Sequence, residues 1–234
     1  GYREGNSVLA SRNSHSINFG NEIGHQIEFN KIVFANNNLT GNFSMSHRNK
    51  RHNMVDLSVV DFLTMEENDQ LYDYFPFRQW YLELNGWAMN DMLYYKIGID
   101  QFTEFNVGSK HVFATTIPTQ WVWKFHNGSS LTTYLEYQSK TVKGSIPAEY
   151  TSTYLSTSYS NKGKWIATGF LDLEKSKDIT SKWPGLDFSY NINSETQISL
   201  FYGSQKGGLV CANGICAEQP GFEKGVKVTF RSLF

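Results

Sequence analysis

The sequence predicts an all-β fold in which about 12–14 long strands form an up-and-down antiparallel β-barrel. Three observations predict it: apolar and polar residues alternate along many segments, these segments are long, and short connections alternate with long ones. The composition agrees, because 15% of the 234 residues are aromatic and aromatic residues favour strands.

Alternation of apolar and polar residues is the main signal for strands. In Leu131–Ser139, for example, Leu135 and Tyr137 share one face, whereas Glu136 and Gln138 share the other. From residue 77 onward the same pattern predicts strands at 77–88, 92–103, 113–125, 130–141, 150–160, 164–173, 185–191, 196–203 and 224–234.

The connections between these strands predict that the barrel crosses the bacterial outer membrane. Short turns are expected at 89–91, 126–129, 161–163 and 193–195, and long loops at 104–112, 142–149, 174–184 and 204–223. Outer-membrane barrels have short periplasmic turns and long extracellular loops. Several predicted strands also reach the roughly 9–11 residues that a tilted strand needs to cross the hydrocarbon. With a periplasmic C-terminus, the long loops are extracellular.

The N-terminal third gives weaker signals. Candidate strands lie at 16–23, 26–34, 39–47 and 53–60, followed by a long extracellular loop at 61–75. The expected organisation is a polar N-terminal segment or fragment edge at 1–15 and a barrel at 16–234. Gly1 is not an initiator methionine, and no apolar signal-peptide core follows it. We therefore expect a processed protein or the C-terminal part of a larger barrel.

The two strand faces have different expected roles. The polar face would line the lumen, where its acidic and basic residues nearly balance, which argues against strong ion selectivity. The lumen-facing charges would be Glu83, Lys96, Asp100, Lys124, Glu136, Asp172, Asp187, Lys227 and Arg231. Tryptophans near strand ends would form the aromatic girdles at the two membrane interfaces. These are Trp80, Trp121, Trp123 and Trp165.

The C-terminal stretch carries a family resemblance. Val226, Val228, Phe230 and the terminal Phe234 resemble the insertion signal that outer-membrane barrels present to the barrel-insertion machinery. The preceding Cys-Ala-Asn-Gly-Ile-Cys loop and the Tyr-Phe-Pro-Phe-Arg segment at 74–78 are similar to an uncharacterised Bacteroidota-type outer-membrane family. The resemblance covers residues 71–234. It implies the location and a barrel fold, and it implies no activity.

Cys211 and Cys216 are the only cysteines, and Asn213 and Gly214 between them suit a tight turn. In an oxidising envelope this spacing predicts a small-loop disulfide. A metal site would need further thiol or imidazole ligands, and 204–223 contains none. No nucleophile elbow, phosphate-binding loop or metal-ligand spacing occurs elsewhere, so we expect no cofactor, no metal and no enzymatic activity.

Three functions remain open from the sequence. The favoured one is a structural or partner-binding component of the cell envelope, perhaps in a larger assembly, in contact with outer-membrane lipid or lipopolysaccharide and other envelope proteins. The first alternative is a passive channel or uptake porin for small solutes. The second is a soluble carbohydrate-binding β-sandwich. A nucleic-acid partner is not expected, because the net charge is −1.

Overall fold

The computed structural model describes residues 7–13, 22–34, 37–48, 76–106, 110–144, 147–177, 179–193, 195–212 and 215–232. They form one short helix and thirteen strands. These are α1 (Val8–Ser11), β1 (Glu22–Val33), β2 (Asn37–Arg48), β3 (Phe77–Ala88), β4 (Leu93–Asn106), β5 (Lys110–Lys124), β6 (Ser130–Lys143), β7 (Ala148–Asn161), β8 (Trp165–Ser176), β9 (Ile179–Asn191), β10 (Thr196–Gln205), β11 (Gly208–Ala212), β12 (Ile215–Gln219) and β13 (Phe222–Ser232). No helix in these ranges is long and apolar enough to span a membrane.

Eleven strands form one sheet, in the order β1 to β10 followed by β13. Every neighbouring pair is antiparallel. The predicted all-β, up-and-down antiparallel fold is therefore confirmed. β11 and β12 pair only with each other, as a separate hairpin between β10 and β13. Among the described strands, β1 and β13 end the sheet and each has a neighbour on one side only.

The two faces of the sheet are inverted relative to those of a soluble protein. Leu135 and Leu155 point outward and are 41% and 42% exposed, whereas Glu136 beside them is 1% exposed. Exposed apolar side chains and buried charges are the reverse of the usual distribution. They are what a membrane-spanning β-sheet requires, because its outer face meets hydrocarbon.

The outward apolar residues form a continuous band because the register aligns them. Leu135 pairs with Leu155, Leu155 with Leu171, and Leu171 with Pro184. In a β-sandwich these side chains would pack against a second sheet. Here they stay exposed on the outside of the sheet, so the interpretation as a soluble carbohydrate-binding sandwich is wrong.

Three of the predicted long loops are wrong. We call the end of the sheet that carries the β11–β12 hairpin the hairpin end, and the opposite end the turn end. At the hairpin end, half or more of each predicted loop at 104–112, 142–149 and 174–184 is strand. In β4–β5 the pairing extends to Asn106 and Lys110. Only the fourth, at 204–223, remains long, and it holds the hairpin.

The reason for these errors is that the strands continue past the apolar band. Beyond it, outward side chains no longer need to be apolar, so the alternation that marks a strand disappears while backbone pairing continues. A different error occurs near residue 23. The sequence predicts two strands there, at 16–23 and 26–34, whereas β1 is one unbroken strand from Glu22 to Val33. The candidate strand at 53–60 and the loop at 61–75 lie outside the described residues.

A glycine permits the close approach of β9 and β10. Gly203 has a φ of +144°, and a Cβ added there would lie 2.4 Å from the Pro184 carbonyl oxygen. It pairs with Gly185, directly before a register shift in the β10–β13 pairing. A side chain at 203 would therefore be strained by both its backbone conformation and its neighbour.

Candidate functional site

The inward, polar face of the sheet, which we call the inner wall, is the candidate site. From β2 to β8, many of its side chains are polar and nearly inaccessible to solvent, although a single short helix lies on it in the described part of the chain. The sheet therefore curls around this face. Its buried polar residues include Thr40, Asn42, Ser44, Ser46, Gln79, Glu83, Lys96, Asp100, Thr116, Glu136, Gln138, Ser152, Ser156 and Asp172.

Residues 7–13, which we call the plug segment, lie on the inner wall. They belong to the polar stretch 1–15 that the sequence analysis separates from the barrel. Their helix α1 contacts β5, β6 and β7 of the sheet and β11 of the hairpin. Ser7 is its N-cap, with its hydroxyl accepting a hydrogen bond from the Ala10 amide at 3.1 Å. Leu9 is fully buried, so the segment is an integral part of the lumen interior.

Glu136 on β6 holds the start of the plug segment. Its carboxylate accepts hydrogen bonds from the Ser7 hydroxyl (2.8 Å), the Val8 amide (3.0 Å) and the Leu9 amide (2.8 Å). The first amides of a helix have no partner within the helix, and a carboxylate is favourable at that end. Glu136 thus satisfies the helix start, and the segment in turn satisfies a buried charge.

Arg12 holds the other end of the plug segment. Its guanidinium donates to both carboxylate oxygens of Asp172 on β8, and the Nη1–Oδ1 distance is 3.3 Å. The side chains of Arg12 and Asp172 are 22% and 4% exposed. A forked guanidinium–carboxylate pair fixes orientation as well as charge. The pair therefore sets how the segment crosses from β6 towards β8.

Two further β6 side chains bind the plug segment. Gln138 donates from Nε2 to the Leu9 carbonyl oxygen (3.0 Å) and to the Thr116 hydroxyl (2.8 Å). Lys140 donates from Nζ to the Asn13 side-chain oxygen at 3.2 Å. Glu136, Gln138 and Lys140 alternate along one strand, so the inward positions of β6 present an acceptor and two donors in sequence order.

A second polar cluster lies on β3 and β4. The Lys96 Nζ lies 3.7 Å from Glu83 Oε2, and the Tyr81 hydroxyl also donates to Glu83. Gln79 donates to Asp100 Oδ2 at 2.6 Å. The other oxygen of Asp100 has no hydrogen-bond partner among the described residues. Within those residues, no three potential metal-ligating side chains come together.

The structure places the nine predicted lumen charges unequally. Glu83, Lys96, Asp100, Glu136 and Asp172 are buried on the inner wall. The other four are more accessible. Lys124 lies at the turn end with its Nζ 3.9 Å from the Trp87 ring centroid, Asp187 accepts a hydrogen bond from Ser189, and Lys227 and Arg231 are exposed on the end strand β13.

Sequence reasoning missed the residues that occupy the lumen. Arg12 and Ser7 lie in a polar stretch without periodicity, and their partners are more than a hundred positions away. The one local signal is Ser7 directly before Val-Leu-Ala, which fits a helix N-cap. The alternation along β6 places Gln138 on the inward face, but nothing in the sequence distinguishes its amide from the other polar residues of that face.

The predicted girdle tryptophans all lie close to strand ends. Trp121 and Trp123 point outward near the turn end of β5. Trp165 starts β8 at the same end and stacks on Phe188 at 6.0 Å between ring centroids. Trp80 lies near the hairpin end of β3, where its indole N–H donates to Gln101. This distribution suits indoles, which prefer a boundary between apolar and polar surroundings.

The structure describes the two cysteines and the C-terminal strand only in part. Cys211 and Cys216 lie directly opposite each other in the β11–β12 pairing, but their side chains are outside the described residues. The disulfide stays a prediction. On β13, Val226, Val228 and Phe230 are exposed on the outward face; Phe234, the last residue of the predicted insertion signal, is not described.

The chain belongs to a family of unknown function (DUF6029), whose model matches residues 3–234. No curated protein matches the sequence. Among solved structures, the siderophore receptor PirA from Pseudomonas aeruginosa is similar, with a TM-score of 0.47 and 11% identity over 82% of this chain. This chain spans 36% of that receptor. OmpT, an outer membrane protein of Vibrio cholerae folded in vitro, has a TM-score of 0.40 and 11% identity, covering 91% of this chain and 95% of its own.

Both TM-scores are below 0.5, so the similarity to these two structures is distant. The fold and the location follow from the pairing and the two faces of the strands. The sheet is antiparallel and up-and-down, its outer face is apolar and exposed, and its inner face is polar and buried. Only closed β-sheets and helices satisfy their backbone groups within lipid. The chain is therefore a β-barrel protein of the outer-membrane type, located in the bacterial outer membrane.

Proposed function

We propose that this member of the DUF6029 family is a non-conducting outer-membrane barrel, and that it serves as a structural or partner-binding component of the cell envelope. The observation that carries this proposal is the plug segment. Glu136 and Asp172, both buried on the inner wall, are satisfied by backbone amides, a hydroxyl and a guanidinium of residues 7–13. The lumen charges are thus used to hold polypeptide.

The electrostatics of the inner wall support a closed lumen. A charge removed from water is costly unless it is paired and hydrogen-bonded. Glu83 is matched by Lys96, Asp172 by Arg12, and Glu136 by amides and a hydroxyl of the plug segment. Asp100 is bound by the Gln79 amide through one oxygen only. A pathway selective for cations or for anions would need lining charges without partners, as in channels with rings of like charge. The matched pairs leave little reason for ions to enter.

The ends of the sheet support a partner-binding role. β1 and β13 are each paired on one side only within the described residues, and both of their faces are largely exposed. Lipid cannot satisfy the remaining backbone groups. With eleven strands in the sheet, β1 and β13 run in the same direction, so an odd number of further strands would close the wall in antiparallel order. A partner protein that adds such strands would complete the wall.

A passive channel is the second candidate function. The polar character of the inner wall favours it, since a wall without the plug segment would be lined by carboxylates, amides and hydroxyls. In that case residues 7–13 would have to leave the lumen under working conditions. The two functions therefore differ in whether the plug segment stays bound, which conductance measures directly.

We expect the wild-type protein, refolded into a planar lipid bilayer, to show no steady conductance steps at low applied voltage. Protease resistance of the same sample, lost on boiling, shows that the silent protein is folded and inserted. Steady ohmic steps from such a sample would contradict the proposal and support the passive channel. Silence with full protease resistance supports the closed barrel.

A further inference from the structure

Two lysines face outward at the hairpin end, immediately beyond the apolar band. Lys175 on β8 pairs with Thr180 on β9, and Leu173 pairs with Lys182. Towards the middle of the membrane, the next outward pair is Leu171 with Pro184. Lys175 and Lys182 are both exposed. They therefore lie at the boundary between hydrocarbon and headgroups.

The surroundings of the two lysines suit an anion. Lys175 and Lys182 are diagonal neighbours, a relation that brings Cβ atoms within about 7–8 Å. On β9, Thr180 lies opposite Lys175 and two residues before Lys182. On β7, the other neighbour of β8, Thr151 pairs with Lys175. Neither lysine has a hydrogen-bond or ion-pair partner in the described part of the chain. Among the described residues nearby, the outward acid is Glu149, diagonal to Lys175 on β7.

We propose that Lys175 and Lys182 bind a phosphate group of an outer-leaflet phosphoglycolipid. The ammonium groups and the hydroxyls of Thr151 and Thr180 would donate to the phosphate oxygens. The acyl chains would lie along Leu173 and the band below it. Basic residues close to a membrane surface attract anionic headgroups; the apolar band directly beneath distinguishes a lipid from a free phosphate ion as the occupant.

This inference rests on the proposed outer-membrane placement, with the hairpin end facing outward. At the hairpin end, β2 ends and β3 begins with residues 49–76 between them in sequence, and β10 ends and β13 begins with residues 206–221 between them. Extracellular connections are the long ones in such barrels. At the turn end of the neighbouring strands the outward residues are aromatic, including Trp165 and Phe188. The two ends of β8 and β9 thus present different chemistry to the two leaflets.

Binding of purified lipid A, a phosphorylated glycolipid, to the detergent-solubilised full-length protein tests the inference. We expect the double variant Lys175→Glu with Lys182→Glu to bind at least about thirtyfold more weakly than wild type, since loss of two surface lysines alone predicts that factor. The matched control reverses two lysines at the turn end, Lys162→Glu with Lys164→Glu, and should bind like wild type. Protease resistance verifies the folding of both variants.

The inference is overturned by equal binding of the hairpin-end variant, by equal loss in the turn-end control, or by equal wild-type affinity for dephosphorylated lipid A. Equal wild-type affinity for phosphatidylglycerol would also overturn it, because the site would then recognise any anionic lipid. Conductance of the wild-type protein is a separate readout. Steady channel steps together with phosphate-dependent binding would refute the closed barrel and leave the lipid site standing.

Discussion

Leu155→Arg is expected to destabilise the folded barrel in a phospholipid bilayer by about 2–4 kcal/mol, the usual cost of a lipid-facing arginine near the bilayer midplane. Leu155 lies in the middle of β7, between Leu135 and Leu171 in the apolar band. On the surface of a soluble protein, a side chain that is 42% exposed would accept arginine with little change. Unfolding by urea in vesicles, followed by tryptophan fluorescence, measures the difference.

The control for this prediction is the same substitution at another depth. Ser139 also points outward, and it is aligned through Thr151 with Lys175, where a basic residue already occurs. Ser139→Arg should therefore cost at most about 1 kcal/mol, as arginine does near the interface. Equal costs at the two sites would contradict a hydrocarbon layer centred on Leu155.

Arg12→Glu is expected to displace the Arg12 end of the plug segment from the inner wall and open a conductance in the otherwise silent barrel. The variant places two carboxylates face to face at a site where the Asp172 side chain is 4% exposed. Leaving a buried charge without its partner costs about 3–5 kcal/mol, and the repulsion adds to it. The hydrogen bonds to Glu136 and Gln138 remain at the start of the segment, so the change removes the anchor at the Arg12 end and leaves the start attached.

The charge-swapped double variant provides the control. Arg12→Glu combined with Asp172→Arg restores an opposite-charge pair at the same place, and we expect it to return the barrel to silence. Single-channel recording of both variants gives the comparison. If Arg12→Glu stays silent in folded, protease-resistant samples, or if the double variant conducts as the single variant does, the plug segment is not what closes the lumen.

The central strands could be predicted from sequence because a lipid-facing sheet imposes a strict pattern. Every second residue of β3 meets hydrocarbon, and the predicted range 77–88 coincides with the observed strand. The pattern fails where the physical requirement ends. The stretch 174–184 is mostly polar and lacks regular alternation, so it resembled a loop, although residues 174–176 pair with residues 179–181.

The occupied lumen could not be predicted, because nothing local encodes it. Parity brings Glu136 and Asp172 to the inner wall, but it does not say what neutralises them. Their partners are Ser7 and Arg12, in a segment whose composition fits an exposed tail equally well. Such a contact depends on the three-dimensional path of the chain, which no repeat or motif in one sequence specifies.

The claim on which the account depends is that one face of each strand meets lipid and the other faces a closed interior. Nitroxide labels placed one at a time along β7, from Thr151 to Tyr159, test it directly in vesicles. We predict that collision rates with oxygen, which partitions into lipid, are high at Thr153, Leu155 and Thr157 and low at Ser152 and Ser156. Low oxygen collision rates at all these sites would contradict the account. High rates at Ser152 and Ser156 with low rates at Thr153, Leu155 and Thr157 would contradict it as well.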